Sequence, residues 1–301
     1  MSQPMPVLPS IVSRRSLIAG GLALGLAACQ RRTDDPAAAE PAPGGPEEGT
    51  LAWAVAGQWR EADKARDAWR HPVETLSFFG LQPSMTVVEF WPGAGWWTEI
   101  LAPYLARGGG RLYAASFQTG PLADAAQTQI VNRFRHRFGS NQRLYGDIEM
   151  TEFGPTSGPV APTGSSDLVM FMRNLHNWMA AGIAEKAFAD AFAALKPGGV
   201  LGIEQHRGDM AGDQDPAAAS GYVQEAFVKQ LAAEAGFLFE ASSEVNANPR
   251  DTKDHPFGVW TLPPQGLTAP RGSPPDPEFD RSAYDAIGES DRMTLKFRKP
   301  S

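Results

Sequence analysis

The feature that most constrains the fold is a regular alternation of short apolar strands with longer helical segments along most of the chain. Alternation of this kind favours parallel strands that are joined by right-handed crossovers. The predicted strands are 86–90, 111–115, 142–145, 167–172, 200–205, 237–244 and 293–297, and the predicted helical or turn segments are 96–105, 121–138, 181–195 and 221–235. The pattern therefore predicts one doubly wound α/β domain with a mostly parallel sheet and helices on both faces.

The first 28 residues have the composition of an export signal. Arg14 and Arg15 precede the apolar stretch SLIAGGLALGLAA, which is too short to span a bilayer comfortably. The stretch SRRSLIAGG resembles a twin-arginine signal, and LAAC, which ends at Cys29, resembles the lipobox of bacterial lipoproteins. Cys29 is the only cysteine of the chain, so an intramolecular disulfide is excluded. We therefore expect an exported lipoprotein on the periplasmic side of a bacterial membrane, anchored by a lipid at Cys29.

The remaining chain divides into a tether and a domain. Residues 29–50 are rich in Pro, Ala, Gly and charge, which predicts a disordered tether, and residues 51–301 are expected to form the domain. The formal net charge is −7, and the export signal carries two arginines and no acid, so the rest is more acidic still. The one basic cluster, NRFRHRF at 132–138, has the spacing of an exposed helix face. We expect a small-molecule partner and no nucleic acid.

The stretch VVEFWPGAGWWTEIL, residues 87–101, predicts a ligand-binding turn. It consists of an apolar run that contains Glu89, a turn with Gly93 and Gly95, and the start of an apolar helix. In an open α/β sheet such a turn lines the crevice at the carboxyl ends of the strands. A dinucleotide fingerprint would need a third glycine where Thr98 stands, and the lysine of a phosphate-binding loop is absent as well. An acid followed by Gly-x-Gly suits a cationic nucleoside better than a pyrophosphate.

This stretch, extended to VVEFWPGAGWWTEILAPYL, resembles the first motif of class I S-adenosylmethionine-dependent methyltransferases. Residues 62–300 as a whole resemble a bacterial group of uncharacterised predicted methyltransferases. Further matches are RLYGD, SDLVMFMRNLHNW, AFAALKPGGVLGIEQHR and DRMTLKFRKP. The resemblance implies a Rossmann-like methyltransferase sheet with an antiparallel last strand, and S-adenosylmethionine as the cofactor.

The resemblance also implies which residues hold the amino-acid end of the cofactor. Glu89 would accept hydrogen bonds near that end, and Gly93 and Gly95 would let it pack against the turn. Trp91 lies within the same motif and is predicted to contact the cofactor. The tryptophans of the chain are expected to form walls and core, with an aromatic cage for the cationic sulfonium as the alternative for Trp91, Trp96, Trp97 and Trp178.

The nucleoside end of the cofactor is assigned by the same resemblance. Asp147, placed at the carboxyl end of the predicted third strand, would accept from the adenine amino group, with Ile148 against the ring. Ser116 stands where class I enzymes usually place an acid that binds both ribose hydroxyls. A serine makes only a weak substitute for that bidentate contact. Either cofactor binding is weaker, a group such as Gln118 assists, or the cofactor is not bound.

Polar side chains follow three of the predicted strands and are the candidates for catalysis. Methyl transfer from a sulfonium needs positioning in line and, for a protonated nucleophile, a general base. The candidate catalytic residues are Arg173, Asn174 and His176 after the fourth strand, His206 after the fifth, and His255 after the sixth. The three histidines could instead hold a metal with Asp254 or Glu204, but no short-range ligand spacing requires it, so no metal is predicted.

Two functions from different classes remain open. The first is methyl transfer to a small molecule by an exported enzyme, although the periplasm has no evident supply of the cofactor. The second is a non-catalytic periplasmic ligand-binding module on a methyltransferase fold, which Ser116 favours. A hydrolase is a third possibility, but the sequence lacks the Gly-x-Ser-x-Gly elbow that many hydrolases carry.

The Pro-rich segment 260–290 is expected to be a surface excursion, and loops of that length are often functional.

Overall fold

The computed structural model describes residues 44–121 and 123–301, and the predictions made for residues 1–28 and for Cys29 lie outside this part of the chain. Residues Gly44–Ser301 form one compact unit. The helices are α1 Leu51–Ala56, α2 Asp67–Arg70, α3 Pro72–Phe79, α4 Thr98–Gly108, α5 Ala125–Gly139, α6 Gln142–Tyr145, α7 Leu175–Ala180, α8 Ala184–Ala194, α9 Glu225–Glu234 and α10 Ser282–Ile287. The strands are β1 Thr86–Phe90, β2 Arg111–Phe117, β3 Ile148–Phe153, β4 Ser166–Met172, β5 Leu195–His206, β6 Leu238–Ser243 and β7 Arg292–Arg298.

The strands form one seven-stranded sheet in the order β3-β2-β1-β4-β5-β7-β6. All neighbouring strands pair in parallel except β7, which is antiparallel to both β5 and β6. The predicted fold class, a mostly parallel Rossmann-like sheet with an antiparallel last strand, is confirmed. Because β7 runs against its neighbours, its first residues lie at the carboxyl edge of β5.

Apolar side chains form a separate cluster on each face of the sheet. One cluster centres on Phe90, Phe171 and Trp178, and the other includes Leu101 and Met170. Neighbouring strand residues point to opposite faces, so a strand that is covered on both faces must be apolar throughout. The residues of β1 apart from Thr86 and Glu89, and those of β4 from Leu168 onward, meet this requirement, which explains why their positions could be predicted.

The predicted third strand is wrong. Residues 142–145 form the short helix α6, which begins because the Asn141 side chain accepts from the Leu144 amide at 3.2 Å. A turn at Gly146, with φ +67°, then leads into the true β3 at Ile148. Gln, Arg and Leu are good helix formers, and the side-chain cap stabilises the start of a helix, so these four residues do not form the predicted strand. As a result, Asp147 lies at the amino end of β3, on the edge of the sheet opposite to the one predicted.

A segment that we call the strap, residues 258–272, follows β6 and crosses the carboxyl edge of the sheet. It starts with a 3₁₀ turn, Gly258–Thr261, and is tied to the domain by the Val259 amide, which donates to the carbonyl of Ser220 at 2.8 Å. A second bond of 2.8 Å, from the Leu267 amide to the carbonyl of Trp260, closes the strap on itself. Residues 260–272 of the strap lie in the segment that was predicted to be a surface excursion.

Among the described residues, no helix combines the length and the apolar character needed to span a membrane.

Candidate functional site

A cavity of about 580 Å³ lies at the carboxyl edge of the sheet, where the strand order reverses between β1 and β4. Crevices of open α/β sheets bind ligands at this position. The turn after β1, the ends of β4 and β5, and the residues before β7 supply its floor, and the strap covers it. Its charged and titratable lining residues are Arg66, Arg70, Glu89, Arg173, His176, His206, Arg271 and Glu289. Below we call it the main cavity.

Glu89 lies on the floor of the main cavity at the end of β1. Its side chain is 1% exposed, and the Thr98 hydroxyl donates to its Oε2 at 2.6 Å from the start of α4. Oε1 has no hydrogen-bond partner among the described residues. Burial raises the pKa of Glu89 from 4.5 to about 7, and the bond from Thr98 opposes that shift in part. A buried carboxyl with one free oxygen is suited to receive a cationic donor.

The two glycines of the turn have different roles. Gly93 lines the main cavity with φ +60°, and a Cβ built there would meet no heavy atom within 4 Å. Gly95 has φ +91°, and a Cβ there would lie 2.3 Å from the Phe138 ring, which is part of the core. Only Gly93 therefore leaves room for a ligand. The prediction that Gly95 makes space for the cofactor is corrected, because Gly95 makes space for the packing of α5.

Trp91 forms the wall between the main cavity and a second one. Its backbone is left-handed, with φ +44°, which is unusual for a bulky residue and is often a sign of functional strain. Its amide donates to the carbonyl of Ala115 at 2.8 Å, and its indole N–H donates to the carbonyl of Phe153 at 2.9 Å. A ligand that extends from β1 towards β3 must therefore pass along the Trp91 ring.

The second cavity, of about 560 Å³, lies over the carboxyl ends of β2 and β3. Gln118 and Thr156 line it and are joined by a bond of 2.6 Å between the Gln118 amide nitrogen and the Thr156 hydroxyl. Ser116 lines neither cavity, and its Oγ is buried without a hydrogen-bond partner. The polar groups offered to a ligand here come from Gln118 and Thr119, which follow β2. The weak ribose contact predicted for Ser116 therefore does not fit the buried position of Ser116.

Asp147 and Ile148 are not part of either cavity. Asp147 is exposed, and Ile148 is the first residue of β3, so both lie at the amino edge of the sheet. They border a separate hollow beside α5. The prediction that they bind adenine is wrong because the third strand begins at Ile148 instead of ending before Asp147.

His176 and His206 meet in the main cavity with ring centroids 5.3 Å apart. The Gln205 amide nitrogen lies 3.1 Å from His176 Nδ1 and donates to the carbonyl of Gly221 at the same distance. Since that nitrogen is a donor, Nδ1 is an acceptor and the proton of neutral His176 is on Nε2. Burial, with help from Arg173 and Arg271, lowers the pKa of His176 to about 4. His176 is therefore a neutral hydrogen-bond donor rather than a strong base.

His206 shares this electrostatic environment. Its Nδ1 lies 2.5 Å from the Ser290 hydroxyl, and burial together with His176 and three arginines lowers its pKa well below 6.5. His255, by contrast, does not line the main cavity. Its Nε2 lies 2.8 Å from Asp251, which also accepts from the Tyr222 hydroxyl at 3.0 Å. Of the three candidate catalytic histidines, His176 and His206 therefore lie together, whereas His255 belongs to a buried structural network.

Asn174 and Arg173 are also in the main cavity, and they act differently. The Asn174 amide nitrogen donates to the carbonyl of Trp91 at 3.1 Å, so this side chain fixes the turn after β1. Arg173 has a left-handed backbone, with φ +59°, and its amide donates to the carbonyl of Glu204 at 2.7 Å. Its Nη1 lies 3.3 Å from Glu289, while its Nε is buried without a partner.

An ion cluster that was not predicted from the sequence lies below the main cavity. It consists of Arg70, Arg173, Arg292, Glu204 and Glu289. Arg70, Arg173 and Arg292 surround Glu289, with the closest contacts at 3.0, 3.3 and 2.8 Å. Arg292 also contacts Glu204 at 2.6 Å. Burial lowers the pKa of Arg70 to about 9, and it also lowers the pKa of Arg173. The cluster holds three arginines and two carboxylates, so it carries a surplus positive charge.

The tryptophans divide between core and cavity. Trp178 is fully buried among Phe90, Phe153 and Phe171, which makes it a core residue. Trp96 and Trp97 line the main cavity, but the guanidinium groups of Arg60 and Arg70 already lie over the Trp96 ring at 5.1 and 4.7 Å. Trp96 is therefore engaged by the protein's own cations. Within residues 44–121 and 123–301, no three His, Cys, Asp or Glu side chains are placed to hold a metal ion.

Comparison with known proteins found similar solved structures of low sequence identity. No protein-family model matches the chain, and no curated protein matches it. Solved structures similar to it include a SAM-dependent methyltransferase from Aquifex aeolicus, with 20% identity, coverage of 63% of this chain and 92% of the other, and a TM-score of 0.48.

Two further structures show the range of these similarities. The 1,6-didemethyltoxoflavin-N1-methyltransferase of Burkholderia thailandensis, solved with bound 1,6-didemethyltoxoflavin and S-adenosylhomocysteine, shares 14% identity over 83% of this chain and 85% of its own, with a TM-score of 0.43. The cyclase SpnF shares 16% identity over 77% and 81%, with a TM-score of 0.49.

Proposed function

We propose that the domain binds S-adenosylmethionine and transfers its methyl group to a small molecule in the main cavity. The observation that carries this proposal is Glu89, a buried carboxyl with one free oxygen beside the open turn at Gly93. An ammonium group placed there would restore the charge that burial disfavours. The resemblance of residues 87–105 to the first methyltransferase motif supports the same ligand.

The two cavities suit the two ends of such a ligand. Glu89 and Gly93 would hold the amino-acid end in the main cavity, and Gln118 and Thr156 would offer polar groups to the nucleoside in the second one. Trp91, which lines both, would pack along the ligand between them. When bound, S-adenosylmethionine supplies a methyl group that is already activated by its sulfonium.

The other residues of the main cavity position and shield the acceptor. His176 donates through Nε2, Asn174 fixes the turn that carries Trp91, and the strap excludes water. Excluding water strengthens each polar contact in the cavity. With a pKa of about 4, His176 is not a strong base at neutral pH, so this arrangement favours acceptors that need little help with deprotonation.

We predict that the affinity for S-adenosylmethionine depends on pH through Glu89. Its pKa is raised to about 7, so ionised Glu89 becomes scarcer below that pH and affinity should fall about tenfold per pH unit. Above about pH 8 the ligand's own amino group loses its proton, so affinity should fall again. Calorimetric titration of the full chain from pH 5.5 to 8.5 measures this profile.

The control is Glu89→Gln, which keeps the shape and removes the titrating charge. It should weaken binding by about 1 to 3 kcal/mol at neutral pH and remove the acidic limb of the profile. Thr98→Val, which removes only the bond to Oε2, should weaken binding less. An absence of heat with the wild-type chain at millimolar S-adenosylmethionine and S-adenosylhomocysteine would overturn the proposal.

A second function, ligand binding without catalysis, is favoured by one observation. Trp91 separates the two cavities, and Ser116 does not reach either of them, so contacts to a ribose are fewer than the resemblance implies. The two functions differ in product. Wild-type protein that binds S-adenosylmethionine but forms no S-adenosylhomocysteine with a broad set of small acceptors would favour the binding module.

We also propose that the chain is exported and anchored in a membrane by a lipid on Cys29, as the motif LAAC indicates. Because Cys29 would be the only attachment, Cys29→Ala should release the protein into the soluble periplasmic fraction. Cell fractionation and immunoblotting measure the distribution. If the Cys29→Ala chain still sediments with membranes, the lipid is not its anchor.

A further inference from the structure

The main cavity carries a positive charge that the proposed binding of S-adenosylmethionine does not use. Arg70 and Arg173 lie at its floor, while Arg66 and Arg271 lie nearer its opening. The whole protein is acidic, with a formal net charge of −7, so a concentration of arginines at one site is a local feature and not a reflection of composition. Local fields of this sign attract anions into a cleft.

Two of these arginines have hydrogen-bonding groups without partners. Arg70 is 1% exposed, and its Nη1 is buried without a partner. The Nε of Arg173 is also buried and has no partner among the described residues. The hydrogen bonds that Arg173 makes come from its backbone amide and its Nη1. A buried N–H without an acceptor costs free energy, and a charged one costs more. An oxyanion near these two groups would remove that cost.

The charge of the ion cluster indicates how many negative charges are missing. Its three arginines face two carboxylates, which leaves one positive charge uncompensated. A monoanion would complete the cluster, whereas a dianion would leave an excess negative charge. Guanidinium groups form paired hydrogen bonds with two oxygens of a carboxylate or of a phosphate, so the charge balance is what favours a carboxylate here.

The rest of the cavity wall indicates the body of the ligand. Apolar surface comes from Trp97, Phe117, Met172, Val259 and Trp260. Arg271 lies over the Trp260 ring at 4.7 Å, so the strap brings both a flat apolar surface and a cation to the opening. Cavities of this kind bind an apolar ligand body and orient it through a few polar groups.

We propose that the methyl acceptor is a small organic acid whose carboxylate binds at Arg173 and Arg70 and whose flat apolar body packs beneath the strap. This inference rests on the proposed function for the role of the ligand as acceptor. The anion site itself stands on the arginines alone. Since S-adenosylmethionine also has a carboxylate, the test must distinguish that source from an acceptor.

The test uses benzoate and benzamide, which share a ring and differ in charge, and phenyl phosphate as a dianion. Calorimetric titration of the full chain should show that benzoate binds about tenfold or more tightly than benzamide. Phenyl phosphate should bind more weakly than benzoate. Equal affinities for benzoate and benzamide, or no binding of benzoate at millimolar concentration, would overturn the proposal.

Variants locate the site. Arg173→Gln should remove the preference for benzoate over benzamide, and Arg173→Lys should keep part of it. Arg143→Gln is the matched control, because Arg143 is exposed on α6 and lines neither cavity. Circular dichroism checks that each variant is folded. A preference for benzoate that survives Arg173→Gln would contradict the assignment.

Titration with S-adenosylhomocysteine separates the two possible carboxylates. If the site belongs to the acceptor, saturating S-adenosylhomocysteine should leave benzoate binding intact, and Arg173→Gln should leave S-adenosylhomocysteine binding intact. Competition between the two ligands, together with loss of both in Arg173→Gln, would overturn the acceptor assignment. If benzoate binds while S-adenosylhomocysteine and S-adenosylmethionine do not, the anion site is supported and the proposed methyl transfer fails.

Discussion

Replacing Glu289 with glutamine is expected to destabilise the folded domain by about 3 to 5 kcal/mol, the usual cost of removing one partner from a buried ion pair. The substitution preserves volume and removes the one carboxylate among the described residues that contacts Arg70 and Arg173 directly. Glu204 would then be the single acid of the ion cluster, beside its three arginines. Urea unfolding, followed by tryptophan fluorescence, measures the loss in the free energy of unfolding.

A matched control shows whether the effect comes from burial. Glu240 contacts Lys296 and Arg298 at 3.0 and 2.5 Å, but this pair of contacts lies at the surface. Glu240→Gln should therefore cost less than about 1 kcal/mol. Similar losses for Glu289→Gln and Glu240→Gln would show that the buried cluster does not contribute to folding as its geometry indicates.

Gly95→Val is also expected to have a large effect, which is a loss in the free energy of unfolding of the domain. A Cβ at Gly95 would lie 2.3 Å from Phe138, and the backbone there has φ +91°. Overpacking and a left-handed backbone together should cost roughly 2 to 5 kcal/mol. The measurement is thermal unfolding followed by circular dichroism.

Gly93→Ala is the matched variant within the same turn. It has a similar backbone, with φ +60°, and open space around the added methyl group. It should remain folded, with a cost of about 1 to 2 kcal/mol from the backbone alone. Its binding of S-adenosylhomocysteine should weaken because Gly93 lines the main cavity. A Gly95→Val chain that keeps its melting temperature but loses binding would show that Gly95, not Gly93, contacts the ligand.

The parts of the fold that could be predicted are those where local pattern and burial agree. Residues 87–90 form an apolar strand that only Glu89 interrupts. Residues 142–145 show the limit. Their two polar and two apolar residues fit either a strand or a helix, and the side-chain cap from Asn141 decides for the helix.

The candidate site could be predicted only in part. Glu89, Gly93 and His176 were found because Glu89 lies near the end of a strand and the other two follow strands, and such residues meet at one edge of the sheet. Asp147 was assigned to the wrong edge of the sheet because the third strand was predicted at 142–145. Arg70 and Glu289 had no local pattern at all, since a charged residue in a helix or before a strand is usually exposed. Their pairing depends on the antiparallel course of β7.

The antiparallel β7 also determines when the site can exist during biosynthesis. Arg70 and Glu289 are separated by 219 positions in the chain, and Glu289 comes just before the final strand. A ribosome therefore exposes Arg70 and Arg173 long before it makes the acid that neutralises them. It follows that the binding cleft can be assembled only after translation has passed Glu289 and β7, because the arginines of its floor lack their acid until then.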